Sequence, residues 1–385
     1  MSTISLNILK SYPLNNINSD ENKVPKNAKI YGVNRIYQSS QCWNRAVKEH
    51  YSHGKISAYN TKHVDELTKM ICREMELDDD KTNLCVSEIT KFITGKDKTN
   101  KAKKTKNTKV DNTEDTNTET KTADSVEQEK KDTLNKVSVN GIKNMIKYIL
   151  SVEDGKFDKN ELKNCYMNVD DGDVIAFFGN MNASNSALNV DSVVSTAHAF
   201  TTHEAYPVGN IFTGDDDFRM ESAGASHVGR SYYGGGVIYR SVLIDVDMFM
   251  NSSLMSTSKD PTVNANEKKK KLVNLIRSEI MANPSGMSAK AQSNVTIGFA
   301  VGLTFPGEGY SYADAFETPV PDSETVAQDS VDRLTRTIES KNCVFELNPD
   351  AVVAIHDVNK ENHSDIQDAK NITEFIETLI APCFK

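Results

Sequence analysis

His198 and His203 lie in the run T-A-H-A-F-T-T-H-E, upstream of Asp215, Asp216, Asp217 and His227. Imidazoles and carboxylates in that number could bind a divalent cation, and zinc hydrolases use two His one helical turn apart in H-E-x-x-H. Here the spacing is five, and A-F-T-T leans to strand, where positions i and i+5 point to opposite sides. Three adjacent Asp cannot alternate as a calcium loop requires. No metal is therefore expected, and a structural, hydrogen-bonded His pair is the better reading. Gly234, Gly235 and Gly236 precede a strand, whereas phosphate-binding glycine loops precede a helix, so they imply close backbone approach and not a nucleotide pocket. No serine sits in G-x-S-x-G, and no acid/base pair stands out. No catalytic residue and no cofactor is expected.

Composition narrows the class. Of 385 residues, 38% are hydrophobic and mean hydropathy is −0.51, which is low enough that part of the chain should stay solvated. The most apolar stretch, Val295 to Phe305, is too short and glycine-interrupted to span a bilayer. The N-terminus lacks a basic region followed by an apolar run, so it does not read as a secretory signal. Cys42, Cys72, Cys85, Cys165, Cys343 and Cys383 form no C-x-x-C pair, which points to a reducing, cytoplasmic compartment. The net charge of −9 argues against a general nucleic-acid coat. Its distribution is uneven: residues 1–75 hold 11 Lys/Arg and 6 Asp/Glu, while residues 306–385 hold 6 and 16. The N-terminal end could face a polyanion.

The elements that must position these residues follow from pattern. Ser2 to Tyr12 reads as a strand with Ile4, Leu6 and Ile8 on one face. Ser39 or Ser40 caps a helix to about His50, and Gly54 stops it. Helical patterns carry Val64, Leu67, Ile71 and Met75, then Ile89, Phe92 and Ile93, then Val139 to Ile149. Between them, 96–135 is a Lys/Thr/Asn/Glu-rich insertion that cannot bury enough apolar area to order itself. Strands are expected at Asp173–Gly179, in Val193–His203, at Gly236 to about Met250, at Val295–Phe305 and at Ala351–His356. Helices are expected over about Asn266–Ala282, from Ser323, and over about Asp368–Ile380. The order strand, helix, strand, strand, helix, strand predicts an α+β chain with a modified ferredoxin-like or RNA-recognition (βαββαβ) palm. The first and third strands lack the aromatic signature for stacking bases, so any RNA would be held by its backbone.

Four ordered segments resemble one family, the CasC (Cas-seven) backbone subunit of the type I-E CRISPR Cascade complex. They are Ile36-Tyr37-Gln38-Ser39-Ser40-Gln41 with Arg45 and Ala46; Phe178-Gly179-Asn180-Met181; Ser195 to His203; and Gly224-Ala225-Ser226-His227-Val228-Gly229 running to Gly236-Val237-Ile238-Tyr239-Arg240. The resemblance implies a non-enzymatic subunit shaped like a hand. The palm with a thumb hairpin (about 204–222) and a C-terminal appendage would occupy 1–55 and 173–385, and helical fingers 56–172. Several copies would associate as a filament along one guide RNA, kink it with the thumb, and present it to a target DNA strand beside other Cascade subunits, with no membrane.

Carried over by position, Ser40, Gln41 and Arg45 fall at the backbone-binding start of the first helix, with Gln38, Arg35 and Lys48 beside them. Met181 falls beside the displaced base, and Ile211, Phe212 and Thr213 at the thumb tip. His227 and Lys290 complete the expected RNA contacts. Serine, a helix N-terminus and an arginine one turn in do supply phosphate donors together. An Ile211-Phe212 pair between Gly209 and Gly214 suits an exposed wedge. Asn180 stands where the family carries Arg, and Glu317-Thr318-Pro319 where it often carries lysines. Two other readings stay open: a ribonuclease like the type III relatives, with Asp20 on the loop after the first strand, and a stand-alone RNA-binding module.

Overall fold

The computed structural model describes residues 2–54, 58–95, 134–153, 155–169, 172–182, 184–214, 227–255, 258, 260–287, 289–357 and 366–384. The expected insertion 96–135 lies outside the described residues except for Leu134 and Asn135. In chain order the elements are β1 (Thr3–Asn15), β2 (Asn27–Ile30), β3 (Val33–Gln38), α1 (Ser40–Tyr51), β4 (Ala58–Thr61), α2 (Val64–Glu74), α3 (Asp79–Thr94), β5 (Asn135–Ser138), α4 (Val139–Ser151), α5 (Lys159–Met167) and α6 (Asp173–Phe178). Then come β6 (Val194–Thr196), β7 (Ala199–Thr201), β8 (Val208–Gly214), β9 (His227–Asp245), α7 (Val246–Asn251), α8 (Pro261–Met281), β10 (Phe299–Phe305), α9 (Val326–Val344), β11 (Ala351–His356), β12 (Gln367–Asp368) and α10 (Ile372–Ile380).

The chain divides into two units, one of residues 1–56, 192–252 and 257–385, the other of 57–191 and 253–256. Segment 173–191, expected in the palm, therefore groups with the helical unit.

The first unit is built on a mixed sheet of order β12-β11-β10-β1-β9-β7-β3-β2, with β6 and β8 also on β9. β1 lies centrally, antiparallel to both β10 and β9. Its alternate residues therefore bury on both faces, and not only the Ile4, Leu6, Ile8 face: Ser5 and Asn7 are as fully enclosed as Leu6. One face carries α9, where Val331, Leu334 and Ile338 pack on Leu9, Tyr239, Phe299, Val301 and Phe316. On the other face lies a buried polar cluster. Arg240 of β9 donates to the Glu279 backbone oxygen of α8 at 2.8 Å and pairs with the Glu279 carboxylate. Its guanidinium lies 4.3 Å from the Trp43 ring centre of α1. Lys10 Nζ donates to Ala282 O at 2.8 Å and Asn283 Oδ1 at 3.2 Å, and Tyr12 OH donates to Asn283 Oδ1.

β1 and β9 share a bulge. Tyr12 pairs with Gly236 and Asn15 with Gly234, so Pro13 sits where no ladder N–H is needed. A Cβ on Gly235 would lie 2.7 Å from Pro13 O, and Gly236 has φ of 125°, a conformation that favours glycine. The glycine run thus permits close backbone approach.

Several expected bounds shift, each for a local reason. Asp173–Phe178 is a helix: its run of buried residues has no period, and such a run fits a buried helix as well as a strand. β9 stops at Asp245 because that carboxylate accepts from Met248 N and starts α7. α8 begins earlier than expected, at Pro261, with Asp260 as cap, and β10 is shorter, beginning at Phe299. α9 starts at Val326, and Ser323 accepts from Thr325 N just ahead of it.

In the second unit, α2, α3 and α4 set Val64, Leu67, Ile71, Ile89, Ile93, Ile142, Met145 and Ile149 around one core at helical spacing. Asp78 caps α3 and Ser138 caps α4, each accepting from a backbone N–H. Cys72 and Cys85 are buried here, and burial pushes the Cys85 thiol up to about 12. Among the described residues no helix is long and apolar enough to cross a membrane.

Two predictions follow from the polar cluster. Arg240→Ala leaves Glu279 buried without its partner and should cost about 3–5 kcal/mol in a urea melt. Burial, with Arg240 adding repulsion, lowers Lys10 to about 7. Between pH 7 and 8.5 the unfolded chain then binds the proton that folded Lys10 has lost, so stability rises with pH. A Lys10→Met variant should lack that rise relative to the unmodified protein, read from urea midpoints at pH 6.5, 7.5 and 8.5.

Candidate nucleic-acid interface

α1 presents the first group of expected contacts. Ser39, not Ser40, is its N-cap, accepting from Cys42 N at 3.4 Å. Ser40 N donates to His198 Nδ1 at 2.9 Å. Of the first-turn donors, Gln41 N–H keeps no partner among the described residues, and the Gln41 side chain is exposed. Arg45 follows on the same helix, 80% exposed, its Nε 2.9 Å from Glu49 Oε1. The hydrogen bond to Glu49 raises the Arg45 pKa. An exposed pair of this kind is worth about 0.2–1 kcal/mol, so a phosphate can displace it. Lys48 is half-buried, and that burial lowers its pKa.

Arg35 and Gln38 do not join this surface. Arg35 is fully buried, with Nη1 on Thr201 O at 2.5 Å, Nη2 on Phe316 O at 2.7 Å and Nε on Ile30 O at 3.2 Å. A guanidinium held by three carbonyls and enclosed on all sides ties β3 to β2, β7 and the segment at Phe316, and presents no donor at the surface. Gln38 is 2% exposed. The two histidines of T-A-H-A-F-T-T-H serve separately. His198 receives Ser40 N, while His203 Nε2 accepts from Val237 N at 3.3 Å and its Nδ1 lies 2.9 Å from Glu204 O. Among the described residues no group of three or more His, Cys, Asp and Glu is placed to hold a metal ion. Asp20 Oδ1 accepts from Asn22 N and Val24 N at 2.9 Å each, an Asx turn that orders its loop.

The second group sits on a two-stranded ribbon in which Val208–Gly214 pairs with His227–Tyr233. Ile211, Phe212 and Thr213 lie within the β8 ladder and not at a turn; residues 215–226 are outside the described set. The His227 backbone closes the ladder opposite Gly214. Adjacent residues of a strand face opposite sides, so Ile211 and Phe212 cannot wedge beside the same base. The Phe212 ring lies over Gly229, where an added Cβ would come within 2.2 Å of it. Lys290 Nζ stands 5.8 Å from the ring centre, which brings two expected contacts together. Arg230 and Tyr232 of the ribbon went unread in the sequence. The alternation in H-V-G-R-S-Y-Y was the available signal.

In the second unit, Met181 is 82% exposed. It is flanked by anchored asparagines: Asn180 N donates to Val190 O, and Asn182 Nδ2 donates to Ile93 O at 2.7 Å. An exposed thioether is thus mounted on a pinned loop.

The architecture recurs in solved structures. The chain is similar, with a TM-score of 0.77 and 20% identity over 99% of its length and 100% of the other's, to a chain of a structure described as a CRISPR RNA-guided surveillance complex, pre-nicking. A chain of another CRISPR RNA-guided surveillance complex matches with a TM-score of 0.59 and 16% identity, over 99% of this chain and 100% of that one. The profile of the CT1975-like protein family matches residues 4–378, and the chain belongs to that family. No curated protein matches it.

The Phe212–Gly229 contact predicts that Gly229→Val dislodges the ring and loosens the ribbon. Limited proteolysis should cut between Val208 and Tyr233 several-fold faster, with the global melting midpoint nearly unchanged, as for a locally opening element.

Proposed function

We propose that this protein is a multi-copy backbone subunit of a Cascade-type, RNA-guided DNA surveillance complex, of the type I-E kind, acting without catalysis. The observation that carries the reading is the end-to-end fold likeness, at a TM-score of 0.77, to a chain of a CRISPR RNA-guided surveillance complex. Strand order supports the palm. In β10-β1-β9-β7, with α1 after β1 and α8 after β9, the order is fourth, first, third, second, as in a βαββαβ fold. The second unit would be the fingers, and the β8–β9 ribbon the thumb that kinks the guide.

On this reading Gln41 N–H, Arg45 and Lys48 hold the guide backbone, and Met181 sits beside a displaced base. Base pairing to the target strand supplies sequence specificity while the protein supplies geometry and charge. Copies associate along the guide beside other Cascade subunits. Asp20, the residue the ribonuclease alternative would use, accepts two backbone N–H groups at Oδ1, which suits a loop-ordering role.

RNA that copurifies with the protein should carry a shared repeat-derived end and varied interiors; a population without one would overturn the reading. Arg45→Ala should weaken guide binding by about 1–3 kcal/mol equally for all spacer sequences. Glu49→Gln frees Arg45 and should instead tighten it, with a steeper salt dependence.

A further inference from the structure

α9 carries an outer stripe that no part of the guide-RNA reading uses. At helical spacing, Asp329, Arg333, Arg336, Ser340 and Val344 fall on one side of it. A groove of about 580 Å³, lined by α9 and Pro321, runs along this side as far as Lys341. Its composition changes along the helix. Asp329 and Asp332 come first, each held by a neutral donor, Thr325 Oγ1 at 2.9 Å and Gln328 Nε2 at 2.8 Å. Arg333, Arg336 and Lys341 follow. Thr318 O steadies Arg333 and the Asp314 carboxylate steadies Lys341, each at 2.5 Å, so these cations stand at set positions. At the end of the helix Val344 and Phe345 are each 66% exposed. Residues 306–385 hold six Lys/Arg, and three of the six line this groove. The stripe therefore reads acidic, basic, apolar from the N-terminal end of α9 to its C-terminal end.

We propose that this stripe is a docking surface for a segment of a partner protein whose side chains run basic, acidic, apolar in the same direction. The claim is independent of the guide-RNA reading, since it uses no residue assigned there. The order of charges selects the partner. A polyanion drawn to Arg333 and Arg336 would meet Asp329 and Asp332 one turn away, in a part of the chain with 16 Asp/Glu to 6 Lys/Arg. A small anion would leave Val344 and Phe345 in water. A peptide segment answers all three parts. Its cation faces Asp329 and Asp332, its carboxylates take paired donors from the arginines, and its apolar end covers Val344 and Phe345. The apolar contact supplies affinity, and the charges set direction and register. From Arg333 to Phe345 the helix rises about 18 Å at ~1.5 Å per residue, a span that a partner helix of about three turns matches.

The test is fluorescence-polarisation binding of the full chain to a labelled peptide of about twelve residues, long enough as a helix for that span, with Lys at one end, Glu in the middle and Leu and Phe at the other. Arg336→Gln and Phe345→Ser should each weaken binding about tenfold. Lys370→Gln, a surface cation outside the stripe, controls for net charge and should leave it within about twofold. Reversing the order of the same residues in the peptide should cost about tenfold. Arg336→Glu should recover binding to a peptide with Lys at its centre, which a merely structural arginine would not allow. Hydrogen exchange should slow across residues 325–345 when the peptide is added, a readout that does not depend on a variant's folding. No binding at about 1 mM peptide, or equal binding of the reversed peptide, would overturn the proposal. A fluorescent oligothymidine that binds the full chain and is lost with Arg336→Gln would make the groove a nucleic-acid site and overturn it. Self-association lost with Phe345→Ser, in a chain that binds no peptide, would assign the stripe to a second copy and overturn it as well.

Discussion

The first unit is organised around one buried ion pair. Arg240 and Glu279 tie the middle of β9 to α8, and the guanidinium lies over Trp43, which fixes α1 on the same face. Charges enclosed in this way are costly unless every partner is in place. Burial raises the Glu279 pKa while Arg240 acts in the opposite direction. Lys10, held by Ala282 and Asn283, adds a buried amine near the Arg240 guanidinium. An all-apolar contact would allow α1 and α8 to slide. Hydrogen bonds from one guanidinium hold α8 at Glu279 and its cation–π contact with Trp43 seats α1, so the first turn of α1, whose Gln41 N–H has no partner among the described residues, is placed by chemistry in the core.

Much of the fold was legible because it rests on local rules. The Ser39–Ser40 pair announces α1, Ala351–His356 is an isolated apolar run, and the helical spacing of Val64, Leu67 and Ile71 leaves one reading. The misreadings cluster where the period vanishes. Asp173–Phe178 is buried on all sides, and Asp245 ends a strand by capping a helix within an unbroken β-favouring stretch.

The site was legible by residue type and only partly by position. Arg35 has the composition of a phosphate ligand, yet three carbonyls contributed by β2, β7 and the segment at Phe316 claim it, and none of these is near in sequence apart from Ile30. His198 looked like half of a metal pair and instead receives a helix N–H. In the sequence Ile211 and Phe212 form one apolar pair between Gly209 and Gly214. Their separation onto two faces follows from β8 pairing with β9, a long-range fact that the glycines conceal.

β9 is both the second neighbour of the central strand and one rail of the ribbon, continuous from His227 to Asp245. The two roles meet at Gly234–Gly236, where the sheet ends and the ribbon begins. That continuity constrains how the protein can diverge. Loss or gain of one residue at the junction would turn the ribbon inside out relative to the sheet, exchanging the side that carries Arg230 with the side that carries Phe212. Loss or gain of two would keep the sides and only change the reach. Length variation at this junction in descendants of this chain should therefore arrive in even steps, while ordinary substitutions accumulate one at a time on either side of it.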